Sequence, residues 1–335
     1  MPENIRQNRS MLTRMALGLG AIFALGNLSA CSTSSLEDIA PTTISPKLAG
    51  EINRRGFRQQ DAVLVRIFKE ESELEVWKKK ASGQYALFKT YPICRWSGKL
   101  GPKKRNGDRQ APEGFYQVST GMLNPKSKYY LSFNLGYPNR LESALGYTGE
   151  ALMVHGACSS SGCFAMSDAG IYEIYALANK ALASGQTHFQ VQAYPFRMTA
   201  QNMAQNARDP NMSFWRDLKA GYDAFERSKQ ELKISTCGGR YVVNRSFAEG
   251  EPADPLAACP ADLGGTDPTL TASTATQDID GMARSYVSAY ADGGMHKSFR
   301  EQLKRMGAKR MAARVSTIKY PISRPDAALS DPFEN

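Results

Sequence analysis

The chain has 335 residues, enough for one large domain or two with a sizeable core. Its 42% hydrophobic and 22% charged composition is that of a globular protein and argues against a disordered or fibrous one. A net charge of +10 suits an anionic partner such as cell wall or lipid head groups; with no nucleic-acid motif beside it, nucleic acid is set aside.

Residues 1–31 read as an address. Arg6, Arg9 and Arg14 form a positive start, and Met15 to Gly26 is an apolar run too short for a membrane span of about 20 residues. Leu28-Ser29-Ala30-Cys31 then has the form of a bacterial lipobox. Cleavage before Cys31 would leave a lipidated cysteine whose acyl chains anchor the protein to a membrane. Ser32 in the next position resembles lipoproteins sent to the outer membrane, so the expected location is the periplasmic side of a Gram-negative envelope. Residues 32–60 read as a tether leading into a short helix near Ile52.

From Asp61 the period shortens to two. Ala62–Phe68, Leu74–Lys78 and Tyr85–Tyr91 carry strand patterning, as do Phe115–Ser119, Tyr129–Leu135 and Leu152–Val154. Many short strands with Gly and Pro between them predict a mainly β fold, sandwich- or barrel-like, with an α-helical C-terminal region added. Residues 96–116 include the turn-forming Trp96–Lys103 run, Gly107-Asp108 and Pro112-Glu113-Gly114.

The densest chemistry lies from Met153 to Asp168, MVHGACSSSGCFAMSD. A strand end delivers His155-Gly156, a small-residue loop follows, and Gly162-Cys163 precedes a helix capped by Ser167 or Asp168. A thiol nucleophile needs a base, a turn that exposes sulfur and backbone N–H groups for an oxyanion; this one run could supply all of them. Zinc is the competing use of His155, Cys158 and Cys163, but the ligand set is incomplete.

The helix after Asp168 carries Ile171, Ile174, Tyr175, Ala178 and Leu182 on one stripe and ends at Ser184-Gly185. Phe189–Phe196 reads as a strand, with His188 beside it in a structural part. Residues 201–233 read as helical, with Phe214, Trp215, Leu218, Tyr222 and Phe225 packing on the β-domain. Residues 245–275 read as loop. Ile279–Met306 reads as an amphipathic helix broken at Gly293-Gly294, and the basic end, from Lys297, as a partly disordered, solvated tail.

His155-Gly156 followed by Ser160-Ser161-Gly162-Cys163 resembles the signature of the L,D-transpeptidase catalytic domain family, the YkuD fold. The short His-to-Cys spacing and the Gly-Cys-Phe-Ala-Met-Ser-Asp run resemble its YafK-type subgroup. Ala165 stands where the family often has Arg or Asn, and Ser161 where it often has His. The resemblance covers residues 61–200, between the tether and a helical extension at 201–245, with a loop-rich basic region at 246–335. It implies a cysteine enzyme, without cofactor or metal, acting on diaminopimelate-containing peptidoglycan stem peptides. His155 would take the Cys163 proton to give a thiolate–imidazolium pair. The Cys163 and Gly162 amides, with Ser161 and Gly156 in support, would hold the oxyanion. The resulting thioester would be resolved by an amine, in wall cross-linking or protein attachment. Alternatively water would resolve it, as in YafK-type amidases that cut a diaminopimelate–protein linkage at wall-attached outer-membrane proteins. A non-catalytic wall-tethering lipoprotein is the reading from another class.

Setting aside Cys31 and Cys163, four cysteines allow three connectivities. Cys237–Cys259 brackets a Gly/Pro-rich loop and is preferred, which would leave Cys94 with Cys158. A reversible Cys158–Cys163 pair is the rival.

Overall fold

The computed structural model describes residues 43–261 and 293–322. The address at 1–31 with Cys31, the start of the tether and the part of the expected helix from Ile279 to 292 lie outside the described residues.

The Ser45 hydroxyl accepts from the Leu48 amide at 3.2 Å, and Pro46 sits where a helix needs no N–H donor. These two residues start α1 (Pro46–Arg54), whose Leu48 and Ile52, one turn apart, are buried. The alternating stretch then folds as β1 (Val63–Phe68), β2 (Glu73–Lys79) and β3 (Tyr85–Pro92), followed by the two-residue β4 (Arg95–Trp96). Beyond a long loop come β5 (Gly114–Ser119), β6 (Leu123–Ser127) and β7 (Tyr130–Asn134). A short α2 (Arg140–Ala144) leads to β8 (Met153–His155) and β9 (Phe164–Ala165). The order then runs α3 (Asp168–Ala183), β10 (His188–Tyr194), α4 (Ala200–Gln205), α5 (Met212–Ser228), β11 (Ile234–Cys237), β12 (Arg240–Val243) and α6 (Lys297–Val315).

The fold is therefore β-rich, with two five-stranded mixed sheets and several helices. One sheet runs β3-β2-β1-β10-β5 with only the β1–β10 pair parallel; the other runs β4-β9-β8-β7-β6 with only β8–β9 parallel. β1 reads as an almost continuous apolar run because both of its faces are covered. Val63, Val65 and Ile67 pack in the core that holds α3 and Phe133 of the second sheet. Leu64 and Phe68 pack with Trp215, Leu218 and Phe225 of α5, so the aromatic stripe of the 201–233 region is core. Phe133 and Phe189 meet edge to face at 5.4 Å and join the two sheets.

Two buried features hold the loop before β5. The Lys69 ammonium pairs with Glu113 at 2.8 Å and donates to the Gly101 and Ala111 carbonyls; Glu113 also accepts from the Gly101 amide and the Trp215 indole. Burial lowers the Lys69 pKa, opposed by Glu113. Lys103 donates to Asp108, which also accepts from the Lys104, Arg105 and Gln110 amides.

The basic C-terminal stretch is helical from Lys297 to Val315, so the helix expected to end at Met306 runs on beyond it. Inside this helix the non-helical residue is Gly307 (φ 77°); Gly293 and Gly294 precede its start. In an unbroken helix Phe299 and Met311 would point about 120° apart. The glycine resets the phase, and Phe299, Met311 and Val315 all bury in one cluster with Cys94 and Cys158. Gly294 exchanges backbone hydrogen bonds with Trp96 at 3.0 and 3.1 Å, an approach that a Cβ at Gly293 or Gly294 would block.

Candidate active site

β8 and β9 run side by side, with Val154 opposite Phe164 and His155 opposite Ala165. Continuing that register one residue back sets Cys163 beside Met153. The Met153 N–H accordingly donates to the Cys163 sulfur at 3.4 Å, and the thiol lies 3.8 Å from the Ala151 carbonyl. Met153 and His155, two apart in one strand, share a face. The Cys163 sulfur thus lies against the β8 backbone at Met153, and the imidazole of His155 stands two residues further along the same strand. Among the described residues no hydrogen bond joins them.

His155 is 3% exposed, and its Nδ1 lies 2.6 Å from the Gly156 carbonyl oxygen. A carbonyl only accepts, so Nδ1 carries the proton and Nε2 keeps its lone pair. Burial lowers the His155 pKa to about 4. The Tyr129 ring lies 4.7 Å from the imidazole, and Tyr320 stacks on Tyr129 at 4.9 Å. Gly156 donates to the Tyr129 and Leu131 carbonyls, and a Cβ there would come within 2.7 Å of Asp168 Oδ1 and 2.9 Å of the Tyr129 oxygen. The glycine lets the loop press close enough to present its carbonyl to the ring.

Burial also pushes the Cys163 thiol upward, opposed by the Met153 N–H and by Lys103. Low solvent access disfavours both charged forms, raising a thiol and lowering an imidazole. Both shifts oppose separated charge in the free protein, whereas the resemblance implies a thiolate–imidazolium pair.

A chain of serines sets the turn. Ser160 Oγ donates to the Cys163 carbonyl at 2.7 Å, so Ser97 Oγ, 3.1 Å away, donates to Ser160 and in turn accepts from the Gly162 N–H. Gly162 (φ 118°) occupies a conformation that side chains resist. Its amide, expected at the oxyanion, is committed to Ser97; the Cys163 amide is left for that part. Ser161 is exposed beside it.

The loop between His155 and Cys163 is held from outside the run. Cys158 is bonded to Cys94 and Cys237 to Cys259, leaving Cys163 as the free thiol among the described cysteines. Cys158 is thus not available to pair with Cys163. Ser167 caps α3, and Asp168 has a different task. Its Oδ1 accepts from the Ala157 amide at 2.9 Å, and its Oδ2 accepts from the Ser316 hydroxyl, the Thr317 amide and the Thr317 hydroxyl at 2.7–3.0 Å. It buckles the site loop to the C-terminal segment. Sequence reasoning named neither Ser97 nor Tyr129 nor Tyr320 as site residues, and treated Asp168 only as a cap. Ser160 lay inside the motif, whereas no local pattern points to Tyr320.

The family model YkuD, L,D-transpeptidase catalytic domain, matches residues 62–191. A relative in Escherichia coli strain K12, named "Putative L,D-transpeptidase YafK", is 46% identical over 186 residues, which is 56% of this chain and 75% of the relative. Among solved structures, the helical cell shape determining protein Pgp2 from Campylobacter jejuni is 18% identical, covering 56% of this chain and 79% of its own, with a TM-score of 0.33. Bd1075 of Bdellovibrio bacteriovorus is 16% identical over 52% of this chain and 75% of its own, with a TM-score of 0.28.

Proposed function

The chain belongs to the L,D-transpeptidase catalytic domain family, and on that premise we propose that it is a cysteine acyltransferase that works on diaminopimelate-containing stem peptides of peptidoglycan. One observation carries this reading. The free thiol among the described cysteines lies against the backbone of the strand that carries an imidazole whose Nδ1 is tied down and whose Nε2 keeps its lone pair.

In the proposed cycle Nε2 of His155 takes the thiol proton as the Cys163 sulfur attacks an amide carbonyl. Catalytic hydrogen bonds are often long before substrate binds, and a bound peptide would draw the two side chains together. The Cys163 N–H receives the oxyanion, an interaction whose loss typically costs about 100-fold or more. The imidazolium then protonates the leaving amine, and a thioester remains on Cys163. An incoming amine gives a transpeptide and restores the thiol; water gives a free acid and makes the enzyme an amidase. Signal cleavage before Cys31 and lipidation there would place this chemistry on the periplasmic side of the outer membrane, within reach of wall-attached proteins.

The test incubates the protein and its Cys163→Ala variant with sacculi that carry covalently attached proteins, and reads digested muropeptides by mass spectrometry. New peptide–amine linkages, absent with the variant, are the expected result. Release of attached protein without new linkages would assign hydrolysis instead. Identical products from both proteins would remove the thiol mechanism.

A further inference from the structure

The charge of this protein is concentrated. Between Gly293 and Ile322 the chain has eight Lys and Arg residues against one acid, Glu301, a net +7 out of the whole chain's +10. Lys297, Arg300, Lys304, Arg305, Lys309, Arg310, Arg314 and Lys319 are all exposed. Among the described residues no salt bridge neutralises any of them; beside them, His296 Nε2 lies 3.7 Å from Glu73. Cations gathered on one short element attract anions far more strongly than the same charges spread over the surface.

The other side of this element is already used. Phe299, Met311 and Val315 are buried against the Cys94–Cys158 disulfide, with Leu303, Met306 and Ala312 packed beside them. A helix that binds a bilayer must sink an apolar face into it, with its cations at the rim. In α6 that face is inside the protein, so only charge is left to offer. The segment cannot easily swing away, because Ser316 and Thr317 are bonded to Asp168 and Tyr320 is stacked on Tyr129. It is thus fixed beside the end of β8 that carries His155 and the loop that leads from it to Cys163.

We propose that the outer face of α6 docks the carboxylate-bearing peptidoglycan network itself and holds the polymer beside the Cys163 site. This rests on the functional reading above, since each stem peptide carries free carboxylates and the polymer repeats them. A repeating anion suits a row of exposed cations: each contact is weak and screened by salt, and many together retain the enzyme on its substrate.

The experiment neutralises the middle of the face in the full chain with Lys304→Gln, Arg305→Gln, Lys309→Gln and Arg310→Gln together. All four side chains are exposed, and a thermal melt matching the parent confirms an intact fold. Sedimentation with sacculi is measured in a Cys163→Ala background, so no covalent chemistry contributes. The parent should bind about tenfold more tightly than the four-site variant at low salt, and the difference should shrink as salt is added. With phosphatidylcholine–phosphatidylglycerol vesicles the difference between the two should be smaller than on sacculi. Equal binding to sacculi would overturn the proposal, and a larger difference on vesicles would assign the face to lipid. The four-site variant with Cys163 restored should form its thioester with a small soluble stem peptide at the parental rate. A chain that binds sacculi through this face yet forms no thioester with a stem peptide would refute the enzyme reading and leave the docking face standing.

Discussion

Cys94–Cys158 closes a loop with a sequence separation of 64 and Cys237–Cys259 one of 22. Chain entropy grows only with the logarithm of loop length, so the two bridges should stabilise the fold by similar amounts, about 4 and about 3 kcal/mol. Their surroundings differ much more. Cys237 ends β11, and the Gly238 and Gly239 amides beside it donate to the carbonyls of Ala257 and Pro255, so this bridge clamps a hairpin to the segment that follows it. Cys158 lies between His155 and Cys163, donates to the Met166 carbonyl, and with Ala157 holds a positive φ. The packed residues of α6 sit on its sulfur. Bridges of nearly equal thermodynamic weight thus separate into one that shapes a hairpin and one that shapes the site.

The largest effect tests that contrast directly. Cys94→Ser with Cys158→Ser should lower kcat/KM on a soluble stem peptide about 100-fold, since a shift of about 1 Å at a reacting group has that consequence. Cys237→Ser with Cys259→Ser should change it less than about threefold. Calorimetry should find similar losses of Tm in both. Equal losses of activity would dissolve the distinction.

Gly156→Ala should come next, with about a 30-fold loss of kcat, because the new Cβ meets Asp168 Oδ1 at 2.7 Å and displaces the carbonyl that orients His155. Asp168→Asn keeps the shape but leaves one acceptor oxygen where two served Ala157 on one side and Ser316 and Thr317 on the other. A cost of about 1–3 kcal/mol in denaturant melts and about a tenfold loss of kcat are expected. The matching change at the hairpin, Arg140→Gln, removes a guanidinium bonded to Thr236 and Glu251 and should leave kcat unchanged.

The smallest change in rate should come from Tyr320→Ala, a few-fold at neutral pH, with its signature in the pH profile. Removing that ring admits water to Tyr129 and His155, and the acid limb of kcat/KM should move from about 4 toward the ordinary imidazole value of about 6.5. Stability has a definite sign here as well. The folded His155 binds its proton at about 4 while the unfolded one binds near 6.5, so the unfolded state holds more protons between those values. The contribution of the neutral imidazole, roughly 3 kcal/mol, is complete above about 6.5 and is lost as pH falls to about 4. A pH series of melts on His155→Gln should lack that slope. Iodoacetamide should alkylate Cys163 with a midpoint above the usual thiol range, as expected where burial disfavours the thiolate.

What could be read from residue order was what residue order controls. Period-two patterning located β1, β2 and β3, the Ser167 cap and its apolar stripe located α3, and the run from Met153 to Asp168 held His155 and Cys163 within reach of one strand pair. These signals are local, set by backbone geometry over a few residues. Folding alone could bring Ser97 to the Gly162 amide, Asp168 to Thr317, and Tyr320 over Tyr129, because those partners are 65, 149 and 191 positions apart. The charge state of the site was equally out of reach. The resemblance implies a thiolate–imidazolium pair, while burial shifts both groups against separated charge, and burial is a property of the packed molecule. The basic C-terminal stretch shows the same division: its sequence reads as helix only as far as Met306, and beyond that Met311 and Val315 pack on the apolar surface around Cys94–Cys158 in a helix that runs to Val315.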